Sequence, residues 1–409
     1  GAGAEPDAGV QAATDPVRLT LFRSDRRLVK RYSLNGDGKL EKESGGAMTS
    51  GSAQRIEVTD LYGLRDLLTS LKPNEALTYG VHADVGSEAY QVATQADIAT
   101  GEAVAGARPR TASAMSYPGG PAVLFLDHDP EDGAEPMNAD ELVALLIECF
   151  PKLRGHALMT MPSSSSFIYD GRTDAQLRGL RGQRVYCLLR EGIGEVPRVL
   201  STIQRHLWAK GRGWIKVSRA GSKLERTAFD ASTAQPNRFD FAGSVDCEAP
   251  LESRPPDPVI HEGKPFVDSR EVFPDADAET AKMAAAWVES EKKRAEEAAT
   301  RARERWVEEK AIEMVGANAT PDVMQGAKDV AQRFLETASL DPDFTLWVKG
   351  NDGAPTTVTV RDVLTDKAQW DGAVTLDPAE PEYGGQRYVG KLYLHRGEPC
   401  LYSFAHGGR

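Results

Sequence analysis

The chain has 409 residues and a mass of 44.3 kDa, enough for two or three domains of ordinary size. Hydrophobic residues make up 40% and charged residues 27%, which excludes a mostly disordered chain. The longest uncharged apolar run, 118–126, is nine residues, about half of what a membrane-spanning helix needs. Net charge is −12, yet residues 151–240 hold 16 Lys plus Arg against 7 Asp plus Glu. That block is +9 and leaves −21 for the other 319 residues. One basic block in an acidic chain suits a surface facing a polyanion, or a solvated face with scattered arginines. Cys149, Cys187, Cys247 and Cys400 form no CxxC pair, so a zinc ribbon and a disulfide framework are both unsupported. The N-terminus has no basic-then-apolar signal region, and a reduced, cytoplasmic enzyme is expected.

In chain order, residues 1–16 are small and polar and read as disordered. Alternation over 17–22 and 26–34 predicts strands, with Asn35-Gly36-Asp37-Gly38 as the turn that follows. Residues 55–90 read strand, helix, strand, and 99–120 read as a loop. A short buried strand over 123–127 precedes an amphipathic helix capped by Asn138. A strand at 157–161, a serine-rich loop to 180, strand 184–190, helix 196–211, strand 213–218 and a last strand near 228–232 complete the core. The Pro-rich stretch 249–275 is a linker or a wrapping strap. Residues 277–315 predict one helix of about 58 Å, with 8 basic and 10 acidic residues and little apolar stripe. A helix at 321–338 and short strands through 344–404 follow. Mixed hairpins and helices predict an α+β fold: a core domain over 17–250, a linker over 251–275, a helical segment over 276–340 and a small C-terminal α/β unit over 341–409.

The segment carrying most chemistry is Leu124-Phe125-Leu126-Asp127-His128-Asp129. In an extended chain i and i+2 share a face, so both carboxylates project together while His128 points away. Two such carboxylates repel unless a cation joins them, and a Mg²⁺ or Mn²⁺ pair needs oxygen ligands of this kind. A bare DxD also reads as two turn residues at a strand end. About a hundred residues later, Leu224 to Asp230 reads as another strand ending in a carboxylate. Between them lie a serine loop with Ser163 and Ser165, a strand presenting Arg184 and Tyr186, and a strand presenting Lys216 and Ser218. Three carboxylates with hydroxyls and strand-borne cations suit two-metal phosphoryl transfer. No GxxxxGK[ST] loop, G-x-S-x-G elbow, HEXXH or HxH pair is present, against P-loop ATPase, hydrolase-elbow, zincin and relaxase chemistries.

The order of LFLDHDP, MPSSSSFIYDG, RGQRVYCLL, GRGWIKVSRAGSKLERTAFDAS and QPNRFDFAG resembles the archaeo-eukaryotic-type primase-polymerase domain of phage and plasmid primase–helicase proteins. The resemblance implies a catalytic core with an RRM-like sheet, in which Asp127, Asp129 and Asp230 hold catalytic Mg²⁺ or Mn²⁺. Its second motif commonly presents a histidine where this chain has Arg184. The expected activity is synthesis or extension of primers on a single-stranded DNA template from NTPs or dNTPs, with a helicase module as a further partner. Ser163, Ser165, Arg184, Tyr186, Lys216, Ser218 and Arg226 are the expected nucleotide-binding residues, and Arg212, Arg219 and Arg238 the expected DNA contacts. A catalytically silent binding module and a two-metal nuclease are the alternatives. Trp208 and Trp214 read as core, His406 as a site or turn residue, and Asp377, Glu380 and Glu382 as a solvated turn.

Overall fold

The computed structural model describes residues 15–45, 48–131, 133–350, 353–395 and 397–405, so His406 and nearly all of the expected N-terminal tail lie outside it. Helix accounts for 32% and strand for 27%, in largely antiparallel sheets, the α+β class. Among the described residues no helix is long and apolar enough to cross a membrane. The chain divides into two compact units. The first runs to Arg212 and resumes over Thr227–Ala284; the second comprises Gly213–Arg226 and Ala285–Arg409. The 213–226 segment, inside the 17–250 domain read from the sequence, belongs to the second unit.

In the first unit, four antiparallel strands stand in the order Glu75–Thr78, Val17–Ser24, Ser50–Val58, Tyr90–Ala93. Period-two alternation turns Val17, Leu19 and Leu21 onto one face, where they pack with Leu61, Leu64 and Leu68 of the Leu61–Ser70 helix. Phe22 faces the other way, into a smaller cluster with Leu28, Ala76 and Phe239. In the second sheet, Gln183–Leu189 is the central strand. Ala122–His128 pairs antiparallel along its whole length, and Leu158–Pro162 pairs on its other side. Helix Ala139–Cys149 starts at the expected Asn138, in a capping box with Glu141. It buries Leu142, Leu145 and Leu146, and helix Glu195–Ala209 buries Val199, Leu200, Ile203 and Trp208.

The Pro-rich stretch is a strap: Val259–His261 extends the sheet beside Leu158–Pro162, and Phe266–Val267 runs parallel to Gln183–Leu189. The expected serine-rich loop contains a hairpin, Ile168–Asp170 with Ala175–Arg178, which Leu251–Ser253 joins. Near 228–232 no strand forms. The chain instead leaves strand Lys223–Arg226 and enters the 3₁₀ turn Ala231–Ala234, capped by Asp230.

In the second unit, Trp214–Val217 and Lys223–Arg226 form a hairpin. The long helix expected over 277–315 is two, Ala278–Arg294 and Glu296–Val315, interrupted at Ala295. No glycine or proline accounts for that break. Helix Pro321–Thr337 follows, then five antiparallel strands in the order Pro355–Thr359, Thr345–Lys349, Val374–Thr375, Gly390–Tyr393, Cys400–Ser403. Val360–Thr365, expected to extend a strand, is a helix because Thr359 and Asp362 close a capping box at its start. Trp306, Ala331, Phe344, Leu346, Val363 and Leu392 form this unit's core.

Candidate active site

Strand Ala122–His128 is buried from Ala122 to Leu126 and delivers Asp127 to its open end. Asp127 stands opposite Arg184 across the ladder. His128 points to the other face, where Nδ1 donates to the Ala228 carbonyl at 2.7 Å and Nε2 accepts from the Met137 N–H at 3.1 Å. Asp129 is exposed just beyond the strand. Gly182 lets it sit there: a Cβ on this glycine would meet His128 O at 2.6 Å and Asp129 Oδ1 at 2.7 Å. The Asp230 N–H donates to the Asp127 carbonyl at 2.9 Å, which ties the third carboxylate's backbone to the first. The Asp230 side chain accepts from Ser232 N–H and Oγ–H, and Arg238 Nη2 lies 3.5 Å from it.

A fourth carboxylate belongs to the cluster and was absent from the sequence expectation. Asp240 is 1% exposed, and its backbone exchanges two hydrogen bonds with Leu77 of the first sheet. Its Oδ2 accepts from Tyr79 Oη–H at 2.6 Å and Tyr186 Oη–H at 2.8 Å. Its Oδ1 lies 3.5 Å from Arg184 Nε and has no hydrogen-bond partner. The available signal was the sequence Phe239-Asp240-Phe241, a charge held between two aromatics.

Arg184 is the cation at the centre. Its side chain is 7% exposed, with Nη2 donating to the Phe241 carbonyl at 3.1 Å and Nε 3.9 Å from Asp127. Nε and Nη1 make no hydrogen bond. Burial works against its charge, but Asp240, Tyr186 and Asp127 outweigh burial and hold the guanidinium above its ordinary range. Asp127 goes the other way. Burial pushes its carboxyl up to about 7, with Asp129, Asp240 and Asp230 adding to burial and Arg184 opposing. Lys30, also missed, belongs to the same field: burial lowers its pKa, while Asp129 raises it and Arg184 and Arg178 lower it further.

Asp127, Asp129, Asp230 and Asp240 are thus set against Arg184, Arg238 and Lys30. Among the described residues no three His, Cys, Asp or Glu side chains stand close enough to form a ligand set as they are. The donors are hard carboxylate oxygens, which suit Mg²⁺ or Mn²⁺ in kind.

The serine loop packs beside this cluster. Ser163 N–H donates to the Gly182 carbonyl, Ser164 Oγ–H to the Phe241 carbonyl, and Ser163 Oγ lies 3.4 and 3.1 Å from the Ser165 and Ser166 hydroxyls. Arg178 Nε–H donates to the Ser165 carbonyl. Tyr186 is wholly buried, stacked on Phe125 at 5.4 Å, so its hydroxyl holds Asp240 from inside the sheet. Arg212 stays in the first unit, 3.9 Å from Glu148. Lys216, Ser218, Arg219 and Arg226 lie in the second unit. There the Ser218 hydroxyl closes the hairpin against Ser222, Arg219 pairs with Glu309 and Glu382, and Arg226 donates to the Glu225 carbonyl. Trp208 is core, as expected. Asp377 is not a solvated turn residue: it is buried and accepts from Ser403 Oγ–H at 2.5 Å. Compared with family models, curated proteins and solved structures, the chain matches none.

Proposed function

We propose that the chain is a template-dependent nucleotidyltransferase of the archaeo-eukaryotic primase-polymerase type, making or extending primers on single-stranded DNA from NTPs or dNTPs. The observation that supports it is Asp127 at a strand end beside the buried Arg184, which also faces Asp240, with the Asp230 backbone hydrogen-bonded to Asp127 and Asp129 two residues on. Asp127, Asp129 and Asp230 are the side chains that would hold Mg²⁺ or Mn²⁺; such ions, when bound, supply an activated 3′-hydroxyl and neutralise the leaving pyrophosphate. Asp240 is a positioning residue. Fixed by two tyrosine hydroxyls, it holds Arg184 beside Asp127. Arg184, the serine loop and Lys30 form the cationic and hydroxyl-bearing side of the cluster, suited to a triphosphate.

The test is incorporation of labelled nucleotides on unprimed single-stranded DNA with Mg²⁺ or Mn²⁺, wild type beside Asp127→Asn and Asp129→Asn. Metal-dependent products from the wild type alone are expected, with a loss of at least about a hundredfold in either variant. Equal synthesis by the variants overturns the assignment, and shortening of a labelled strand instead of elongation identifies a nuclease. One observation favours a silent nucleotide- or DNA-binding module: Arg184 already donates to Phe241 and stands between Asp240 and Asp127. Salt-sensitive DNA binding with no incorporation under either metal decides for that module.

A further inference from the structure

The five-stranded sheet of the second unit has one face on its core; on the other, Trp347 and Leu376 line a cavity with Glu309, Lys310 and Glu313, while Lys349, Tyr402 and Phe404 are exposed. Leu346, Val348, Thr375, Leu392 and Ser403 are buried on the inner face. Strand alternation and register put Lys349, Lys391, Tyr393 and Tyr402 on the other, with Lys391 directly opposite Tyr402. Phe404 continues the same side two residues on, its N–H donating to the Val389 carbonyl. Tyr402 is 42% and Phe404 60% exposed, with ring centroids 4.9 Å apart. Each lysine rides on a tyrosine: Lys391 Nζ is 5.8 Å from the Tyr393 ring centre, and Lys349 Nζ 5.9 Å from that of Tyr388. No Asp or Glu occupies an outward position of these strands.

Exposed aromatic rings on a sheet are costly in water unless a partner covers them. Rings interleaved with lysines, on a face free of acidic strand residues, match bases to stack and phosphates to neutralise. We propose that this sheet face binds single-stranded DNA, with Tyr402 and Phe404 stacking bases and Lys349 and Lys391 contacting the backbone. A protein strand adding to the sheet edge would use the backbone of Cys400–Ser403, only four residues long, and would leave the aromatic face bare. The proposal stands on this face alone and does not depend on the activity proposed for the carboxylate cluster.

The test uses the whole protein without nucleotide or divalent metal. Affinity is measured for a labelled oligothymidylate and for an abasic strand of equal length. Wild type is expected to prefer the base-bearing strand. Tyr402→Ala with Phe404→Ala is expected to lose at least about fivefold in affinity for oligothymidylate, with Tyr402→Phe retaining it. Lys349→Gln with Lys391→Gln is expected to lower the slope of log affinity against log salt by about 1.4. The assay contains neither nucleotide nor divalent metal, so its outcome is separate from that for the carboxylate cluster. In wild type, 5-iodouracil in the strand is expected to photocrosslink to the peptide containing Tyr402 and Phe404. Equal affinity for the abasic strand, an unaffected aromatic variant, or crosslinks lying wholly elsewhere overturns the proposal. So does self-association that disappears in the aromatic variant while DNA affinity stays the same.

Discussion

Asp127 carries a charge that its surroundings oppose. Its carboxyl is pushed up to about 7, against an ordinary aspartate value of about 4. A carboxyl raised in the folded state holds its proton more tightly there than in the unfolded chain. Its contribution to stability is therefore full below about pH 4 and lost as pH rises through about 7. Asp127→Asn removes that loss, so the variant is expected to melt higher than wild type at pH 8, the gain vanishing near pH 4. Manganese should raise the wild-type melting temperature at pH 8 more than at pH 5.5, and leave Asp127→Asn unmoved. An equal manganese effect in both proteins would mean that Asp127 holds no cation. Gly182 gives a second test, because a methyl there meets His128 O and Asp129 Oδ1 at 2.6 and 2.7 Å. Gly182→Ala should cost about 1–3 kcal/mol by overpacking, read from denaturant unfolding, and lower incorporation through a displaced Asp129. Unchanged values on both counts would show that the turn accommodates the methyl. The DxD segment stood out because its two aspartates are close in sequence; the strand ends at His128, so Asp127 lies in it and Asp129 just beyond it. Asp240 and Lys30 did not, since the burial of one and the charged neighbours of the other come from strands far away in sequence.

At the scale of elements, local signals read well and pairing partners read poorly. The Asn138 cap was visible because the capping box needs only Asn138 and Glu141, three residues apart. The turn after Leu34 was equally local: Asn35 Oδ1 accepts from the Asp37 and Lys39 N–H groups, and Gly38 takes φ +74°. By contrast, 224–230 has the apolar content of a strand but pairs only over Lys223–Arg226, with Trp214–Val217. The next residues serve the first unit, where Asp230 caps a turn instead of ending a strand. The Pro-rich strap was open between two readings because its strands are two or three residues each, too short for any periodicity. The long charged helix hid its packing for a different reason. Ala299 and Ala311 are fully buried, and alanines add little to an apolar stripe.

At the scale of the whole molecule, the +9 block resolves into parts with different partners. Lys216, Arg219, Lys223 and Arg226 belong to the second unit, where Arg219 pairs with Glu309 and Glu382, and Lys223 with Glu296. Arg178 and Arg184 stay in the first unit beside the carboxylates. A contiguous stretch of sequence is thus divided between two units. The two units also have separate apolar cores: the cluster around Leu124, Leu142 and Leu188 shares no residue with the one around Trp306, Phe344 and Leu392. Trp306 is 4% exposed, stacks on Phe334 at 5.8 Å and donates Nε1–H to the Ala379 carbonyl. Trp306→Ala removes that packing and leaves the Ala379 carbonyl without its donor, a loss of about 3–5 kcal/mol by the usual cost of emptying a core site. Because the cores are separate, hydrogen exchange is expected to accelerate across the second unit while Ala122–His128 and Gln183–Leu189 keep wild-type protection. The manganese-dependent shift that reports on Asp127 should persist in the first unit's transition. Equal acceleration in both units would show instead that they unfold as one cooperative body.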